Sequence, residues 1–164
     1  MFVLDPKYDT DIPTLRRILE SYKTIAIVGL SKNWQRPSNF AAKYLQEHGY
    51  RVIPVNPVYE EVLGEKCYDQ LHDIPEQVDV VDCFRGAAEI PALAEQAVAI
   101  GAKVLWTQLE IIHYEAADYA TAAGLEVVMD RCMKIEHARL FGGLNFVGVN
   151  TKVISAKRPK SVAN

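Results

Sequence analysis

Three amphipathic stretches of this chain stop at a glycine and then pass at once into an apolar run: Ser38 to Glu47 before Gly49, Ala88 to Ile100 before Gly101, and Tyr114 to Ala123 before Gly124. A glycine just past a helix adopts the left-handed conformation that ends it. The apolar runs, Thr24 to Val28, Arg51 to Val55, Val78 to Phe84, Lys103 to Trp106 and Glu126 to Met129, have the length and composition of strands. Strand alternating with helix in this way predicts an α/β fold, a doubly wound parallel sheet with helices on both faces, in a single domain. Pro13 to Tyr22, with Leu15, Ile18 and Leu19 at helical spacing, reads as a leading helix within a segment 1–23. The domain proper is expected over 24–140, with a partly flexible extension over 141–164. Tyr59 to Pro75 shows no helical period and is expected to cross the sheet edge as a loop with a short strand or a single turn.

A chain of 164 residues that is 49% apolar has enough material for one core. Its formal net charge of -3 argues against a nucleic-acid or anionic membrane partner, so any anion site must be local. No apolar run reaches membrane-spanning length, and charges interrupt the first residues where a signal peptide would be apolar; a cytoplasmic location is expected. Cys67, Cys83 and Cys132 are odd in number and form no CxxC pair, which predicts free thiols and no metal site.

In an open parallel sheet, ligands bind beyond the carboxyl ends of the strands, where the chain order reverses. After the first strand come Gly29, Ser31, Lys32, Arg36, Pro37 and Ser38, and after the third comes Arg85. Lys32, Arg36 and Arg85 place three cations on one rim, next to a helix N-terminus that itself favours an anion. This is a Rossmann-like arrangement, but it departs from the dinucleotide fingerprint. Ser31 and Trp34 stand where GxGxxG needs glycine, and the second strand ends in Val55, Asn56 and Pro57 without the acid that holds an adenosine ribose. An amide with basic neighbours suits a phosphorylated ribose, as in NADP or coenzyme A.

The segments "VGLSKNWQRPS", "VIPVNP", "VDCFR", "LWTQ" and "AGLEVVMDRCMKIEH", in this order and spacing, resemble the stand-alone coenzyme A-binding proteins. The fold of those proteins is similar to the nucleotide-binding domain of the succinyl-CoA synthetase alpha subunit, and the resemblance runs from about Thr24 to Leu140. It implies binding of coenzyme A or an acyl-CoA through its 3′-phospho-ADP moiety, without evident catalysis. Gly29, Ser31 and Lys32 would line the phosphates, Arg36 and Ser38 the phosphorylated end of the nucleotide, and Val55, Asn56 and Pro57 the adenosine. Phe84 and Arg85 would flank the ligand, with Thr107 and Gln108 nearer the pantetheine arm. Many members carry glycine where this chain has Glu110, and a carboxylate there would narrow or repel the arm. A small NADP-dependent oxidoreductase and a nucleotide-sensing interaction module are the alternatives.

The remaining polar residues have plain readings. His48 and His72 are expected to be solvated, and His113 and His137 lack metal-ligand spacing. Asp79 and Asp82 bracket a buried strand, with Asp82 expected to cap or pair locally. Cys67 and Cys83 read as core or loop thiols. Cys132 follows Arg131 at a strand's ligand end, so a cation-stabilised thiolate and simple core packing both stand. Trp34 would lie over a ligand or shield the helix start, and Trp106 would be core. Phe141, Gly142 and Gly143 begin a tail expected to be partly extended and then frayed, whose Lys157, Arg158 and Lys160 are expected to be solvated.

Overall fold

The strand runs pair in parallel, and the order in which they do so creates the site. In the computed structural model, which describes residues 3–142, the strands are β1 (Thr24–Val28), β2 (Arg51–Val55), β5 (Val80–Cys83), β6 (Val104–Thr107) and β7 (Glu126–Val128). They form one sheet in the order β2-β1-β5-β6-β7. The order reverses between β1 and β5, so the loops that follow these two strands leave in opposite directions and open a crevice at their carboxyl ends. A two-stranded hairpin, β3 (Glu61–Val62) and β4 (Glu65–Lys66), and a 3-10 turn at Leu71–Asp73 occupy the stretch expected to cross the sheet edge.

The two sheet faces carry two apolar clusters. Ile25, Ile27, Val52, Val80, Val104 and Trp106 face α1 (Ile12–Ser21), α2 (Pro37–Glu47) and α5 (Met133–Phe141) through Leu15, Leu45 and Leu140. Ala26, Val28, Ile53, Val81 and Leu105 face α3 (Ile90–Ala99) and α4 (Tyr114–Ala122). Ala94 and Ala97 on α3 and Ala116 and Ala120 on α4 are buried, and such small side chains let the two helices lie close. Pro54 sits inside β2, which is possible because β2 is an edge strand. Its carbonyl accepts the Tyr68 N–H at 3.0 Å, so the connection that returns from the hairpin covers this edge.

Most boundaries agree with the sequence reading to within two residues. The three helix-closing glycines, Gly49, Gly101 and Gly124, all have φ between 74° and 97°. The α3 region begins with a 3-10 turn at Ala87–Glu89 before the α-helix proper. One element corrects that reading. Phe141 does not open an extended tail; it ends α5, whose Met133, His137 and Leu140 are buried at spacings of four and three. The polar string Lys134, Glu136 and Arg139 hides that stripe, and only the sheet packed beneath it reveals the helix. Asp82 is also corrected: it lies within β5, fully buried, rather than at the strand's boundary. The basic positions Lys157, Arg158 and Lys160 and the expected extension over 143–164 lie outside the described residues.

Among the described residues, no helix is long and apolar enough to cross a membrane, and no group of three or more His, Cys, Asp or Glu could hold a metal ion.

Candidate functional site

The first turn is built around a glycine that nothing else can replace. Gly29 has φ +85°, and a Cβ there would lie 2.4 Å from the Phe84 carbonyl oxygen and 3.1 Å from Arg85 Nε. The two switch-point loops therefore touch at this residue, with the Arg85 side chain lying over bare backbone. Gly29 N–H donates to Val55 O at 2.8 Å, and Phe84 N–H donates to Val28 O at 2.8 Å, so three strand ends are tied together there.

The loop from Ser31 to Arg36 is held by its own short polar side chains. Ser31 N–H donates to Ser38 Oγ at 3.0 Å, Asn33 N–H to Ser31 Oγ at 3.1 Å, and Gln35 N–H to Asn33 Oδ1 at 3.0 Å. From beneath, Asn39 Nδ2 donates to Ser31 O at 2.9 Å and Asn56 Nδ2 donates to Leu30 O at 3.2 Å. Such local bonds give the backbone a fixed path in place of regular structure. Asn39 was missed in the sequence; its signal was a polar residue at a buried position of an amphipathic helix. No side chain caps α2, whose N-cap is Arg36 and whose first residue is Pro37. Pro37 has no N–H, and the Asn39 and Phe40 N–H groups donate to Arg36 O at 3.1 and 3.2 Å, so what the start of α2 offers an anion is chiefly the helix dipole.

Lys32, Arg36 and Pro57 are exposed at this end of the sheet, and Arg85, Phe84, Ser31 and Pro37 are partly so. Among the described residues, Lys32, Arg36 and Arg85 make no ion pair. Ser38 and Asn56 are buried and spend polar atoms on the loop: Ser38 Oγ accepts from Ser31, and Asn56 Oδ1 accepts the Val58 N–H at 3.1 Å. Val55 is buried as part of β2. Trp34 is 59% exposed in the loop itself.

On the other side of β5, Thr107 is held within its own loop. Its side chain is fully buried and its hydroxyl donates to Ile111 O at 2.6 Å, so it shapes the loop after β6 and offers no polar group outward. Gln108 is 8% exposed, and its Nε2 donates to Asp82 Oδ1 at 2.5 Å. Burial pushes the Asp82 carboxyl up to about 7, against the smaller lowering effect of Gln108.

Glu110 is exposed and stands at φ +68°, its N–H donating to Asp130 Oδ1 at 2.6 Å. A glycine would suit this left-handed backbone better, because a Cβ is disfavoured in that conformation. The Cys132 thiolate reading fails. The side chain is 1% exposed, and burial pushes its thiol up to about 11, with Asp82 adding to the rise. Arg131 turns away from it to pair with Asp9 at 2.8 Å and Glu136 at 3.2 Å. His113 is the N-cap of α4, its Nδ1 accepting the Ala116 N–H at 3.1 Å. His137 is buried against Tyr44, with Nδ1 2.9 Å from the hydroxyl. A separate cleft of about 300 Å³ between α1, α4 and β7 is lined by Asp9, Asp11 and Glu126, which makes it a poor place for an anion.

Arg85 from the loop after β5 thus lies over Gly29, and Lys32 and Arg36 stand in the turn ahead of α2, a cationic rim suited to an anion. Comparison with known proteins agrees with that chemistry. Residues 23–138 match the family model described as a CoA binding domain. The uncharacterized protein YneT of Bacillus subtilis is 38% identical over 124 residues, covering 76% of this chain and 92% of that protein. The ADP-forming acetate–CoA ligase II of Archaeoglobus fulgidus is 29% identical over 99 residues, which is 59% of this chain but only 15% of the ligase. The solved structure of a hypothetical protein from Pyrococcus horikoshii OT3 is 46% identical, with a TM-score of 0.81, covering 87% of this chain and all of that one. With a family model that spans most of its sheet and helices, the chain belongs to the CoA-binding domain family.

Proposed function

We propose that the chain binds coenzyme A or an acyl-CoA through the 3′-phospho-ADP moiety, as a ligand-binding protein rather than a catalyst. The observation that carries the reading is the Gly29 turn, where the Arg85 side chain from the neighbouring loop lies over backbone that tolerates no side chain, in a loop that leads on through Lys32 and Arg36 to the start of α2. Gly29, Ser31 and Lys32 would take the pyrophosphate, Arg36 and Ser38 the 3′-phosphate, and Val55, Asn56 and Pro57 the adenosine. Phe84 and Arg85 would close over the ligand, and Gln108 would meet the pantetheine arm. The end of β2 argues against NAD, since Asn56 stands there with both ends of its amide held by the loop backbone and no carboxylate is present to receive ribose hydroxyls. The ligase activity of the archaeal relatives is not part of this reading, because the match covers a small fraction of those proteins. A cytoplasmic location fits a coenzyme A ligand.

The test is the shift in melting temperature on adding coenzyme A, dephospho-CoA, NADP and NAD, since a ligand that binds only the native state stabilises it by mass action. Coenzyme A should give the largest shift and dephospho-CoA a smaller one, and Arg36→Ala should narrow the gap between them by removing a charge-assisted contact. An equal or larger shift with NADP would favour a small oxidoreductase. A gap unchanged in Arg36→Ala would move the 3′-phosphate elsewhere.

A further inference from the structure

We propose that Asp82 is a positioning residue that fixes the amide of Gln108 so that its carbonyl oxygen, and not its NH2, faces the ligand and accepts an N–H from the amide-bearing arm of coenzyme A. This rests on the coenzyme A reading above.

Asp82 lies in the middle strand of the sheet, in register with Ile27 on one side and Trp106 on the other. A carboxyl group among such neighbours is expensive unless hydrogen bonding compensates it. Among the described residues it makes no ion pair, its Oδ2 has no partner, and its Oδ1 has one donor, Gln108 Nε2 at 2.5 Å. The hydrogen bonding of this buried group is thus directed at Gln108. Asp82 Oδ1 accepts from the NH2 of that amide, so the NH2 end of Gln108 turns inward. The other end, Gln108 Oε1, bonds no protein group among the described residues, yet it is not among the sealed, unpartnered polar atoms. The small exposure of this otherwise buried residue therefore gives access to an acceptor.

The position of that acceptor fits the arm. Gln108 follows β6 by one residue, on the sheet face covered by α2 and α5, and β6 lies beyond β5 from the phosphate-binding turn. A ligand whose pyrophosphate rests at Gly29 must extend across β5 to reach it, which is where an arm carrying two secondary amides would run. Adenosine 3′,5′-bisphosphate ends before this point.

The experiment measures the affinities of coenzyme A and of adenosine 3′,5′-bisphosphate by titration calorimetry for the wild-type chain, Asp82→Asn, Asp82→Leu, Gln108→Leu and the Asp82→Leu/Gln108→Leu double variant. Losing one such hydrogen bond should weaken coenzyme A roughly fivefold to tenfold. Asp82→Leu and Gln108→Leu should each show that loss and leave the bisphosphate within about twofold, and the double variant should lose no more than either alone. Asp82→Asn keeps an oxygen for Gln108 Nε2 and should bind coenzyme A as the wild type does. Equal weakening of both ligands in Asp82→Leu would reduce Asp82 to a structural role. If Gln108→Leu leaves coenzyme A unaffected, or if the two single losses add, the proposal is overturned, and Gln108→Leu decides the matter even where Asp82→Leu does not fold. Wild-type chain that binds the bisphosphate as tightly as coenzyme A removes the acceptor role while the nucleotide reading stands. Wild-type chain that binds neither ligand overturns both.

Discussion

Replacing Glu110 with glycine should make the protein more stable, and the reason is the backbone. Glu110 holds φ at +68° after β6, with its N–H bonded to Asp130 Oδ1 and its side chain in water. For an L-residue the left-handed conformation costs about 1–2 kcal/mol. Glycine avoids that cost but loses more backbone freedom on folding, about 0.5–1 kcal/mol relative to alanine. No packing is removed, because the carboxylate is exposed, and both glycine and alanine keep the N–H that donates to Asp130. The net gain is therefore about 0.5–1 kcal/mol, or roughly 1–4 °C in melting temperature for a chain of this size. Urea denaturation of the wild type, Glu110→Gly and Glu110→Ala separates backbone from side-chain effects, provided the m-value is unchanged. Glu110→Ala keeps the Cβ and should gain nothing. Equal stability of the glycine and alanine variants would refute the argument. The same pair also bears on the ligand: an exposed carboxylate should leave coenzyme A affinity within about twofold, whereas tighter binding by Glu110→Gly that shrinks with added salt would mean that the carboxylate faces the ligand.

Gly29→Ala should destabilise the fold by at least about 2 kcal/mol and abolish coenzyme A binding, since its Cβ would meet the Phe84 carbonyl in a left-handed conformation; denaturation and calorimetry together check this. Asp82, pushed up to about 7 by burial, binds its proton more tightly in the folded chain than in the unfolded one. Stability from this group is therefore full below about pH 4 and falls as pH rises toward 7, by something on the order of 4 kcal/mol. Asp82→Asn should flatten that slope in denaturation curves between pH 5 and 8, and a parallel pH dependence in the two proteins would count against it. His113→Ala should cost about 1 kcal/mol through loss of the α4 cap, and His113→Asn should recover most of it; equal melting of all three proteins would show the cap to be idle.

Local signals in the sequence carried the architecture a long way. Apolar runs of strand length, helices closed by Gly49, Gly101 and Gly124, and a free turn after β1 were legible because each depends on neighbours within a few residues. The same holds for Gly29 and for the cations Lys32, Arg36 and Arg85, whose positions just past strand ends follow from where the strands stop. The amphipathic stripe of α5 was hidden by the charges between its apolar positions, and it became evident only where Met133 and Leu140 rest on the sheet.

What a side chain does with its polar atoms was decided by the tertiary structure. Ser38 and Asn56 stand beyond strand ends by position, and bonds spanning seven and twenty-six residues give each a second task in holding the loop backbone. Cys132 stands next to Arg131 in sequence, yet the guanidinium is drawn off by Asp9 from the far end of the chain, and burial of the thiol settles its protonation. Asp82 and Gln108 meet only because β5 and β6 are paired neighbours. Sequence spacing determined which groups stand on the rim, since the sheet's C-terminal edge is a local property of each strand. Long-range packing decided which of those groups stay exposed and unpaired among the described residues, because burial, charge pairing and hydrogen-bond direction depend on atoms that the chain brings together only when folded.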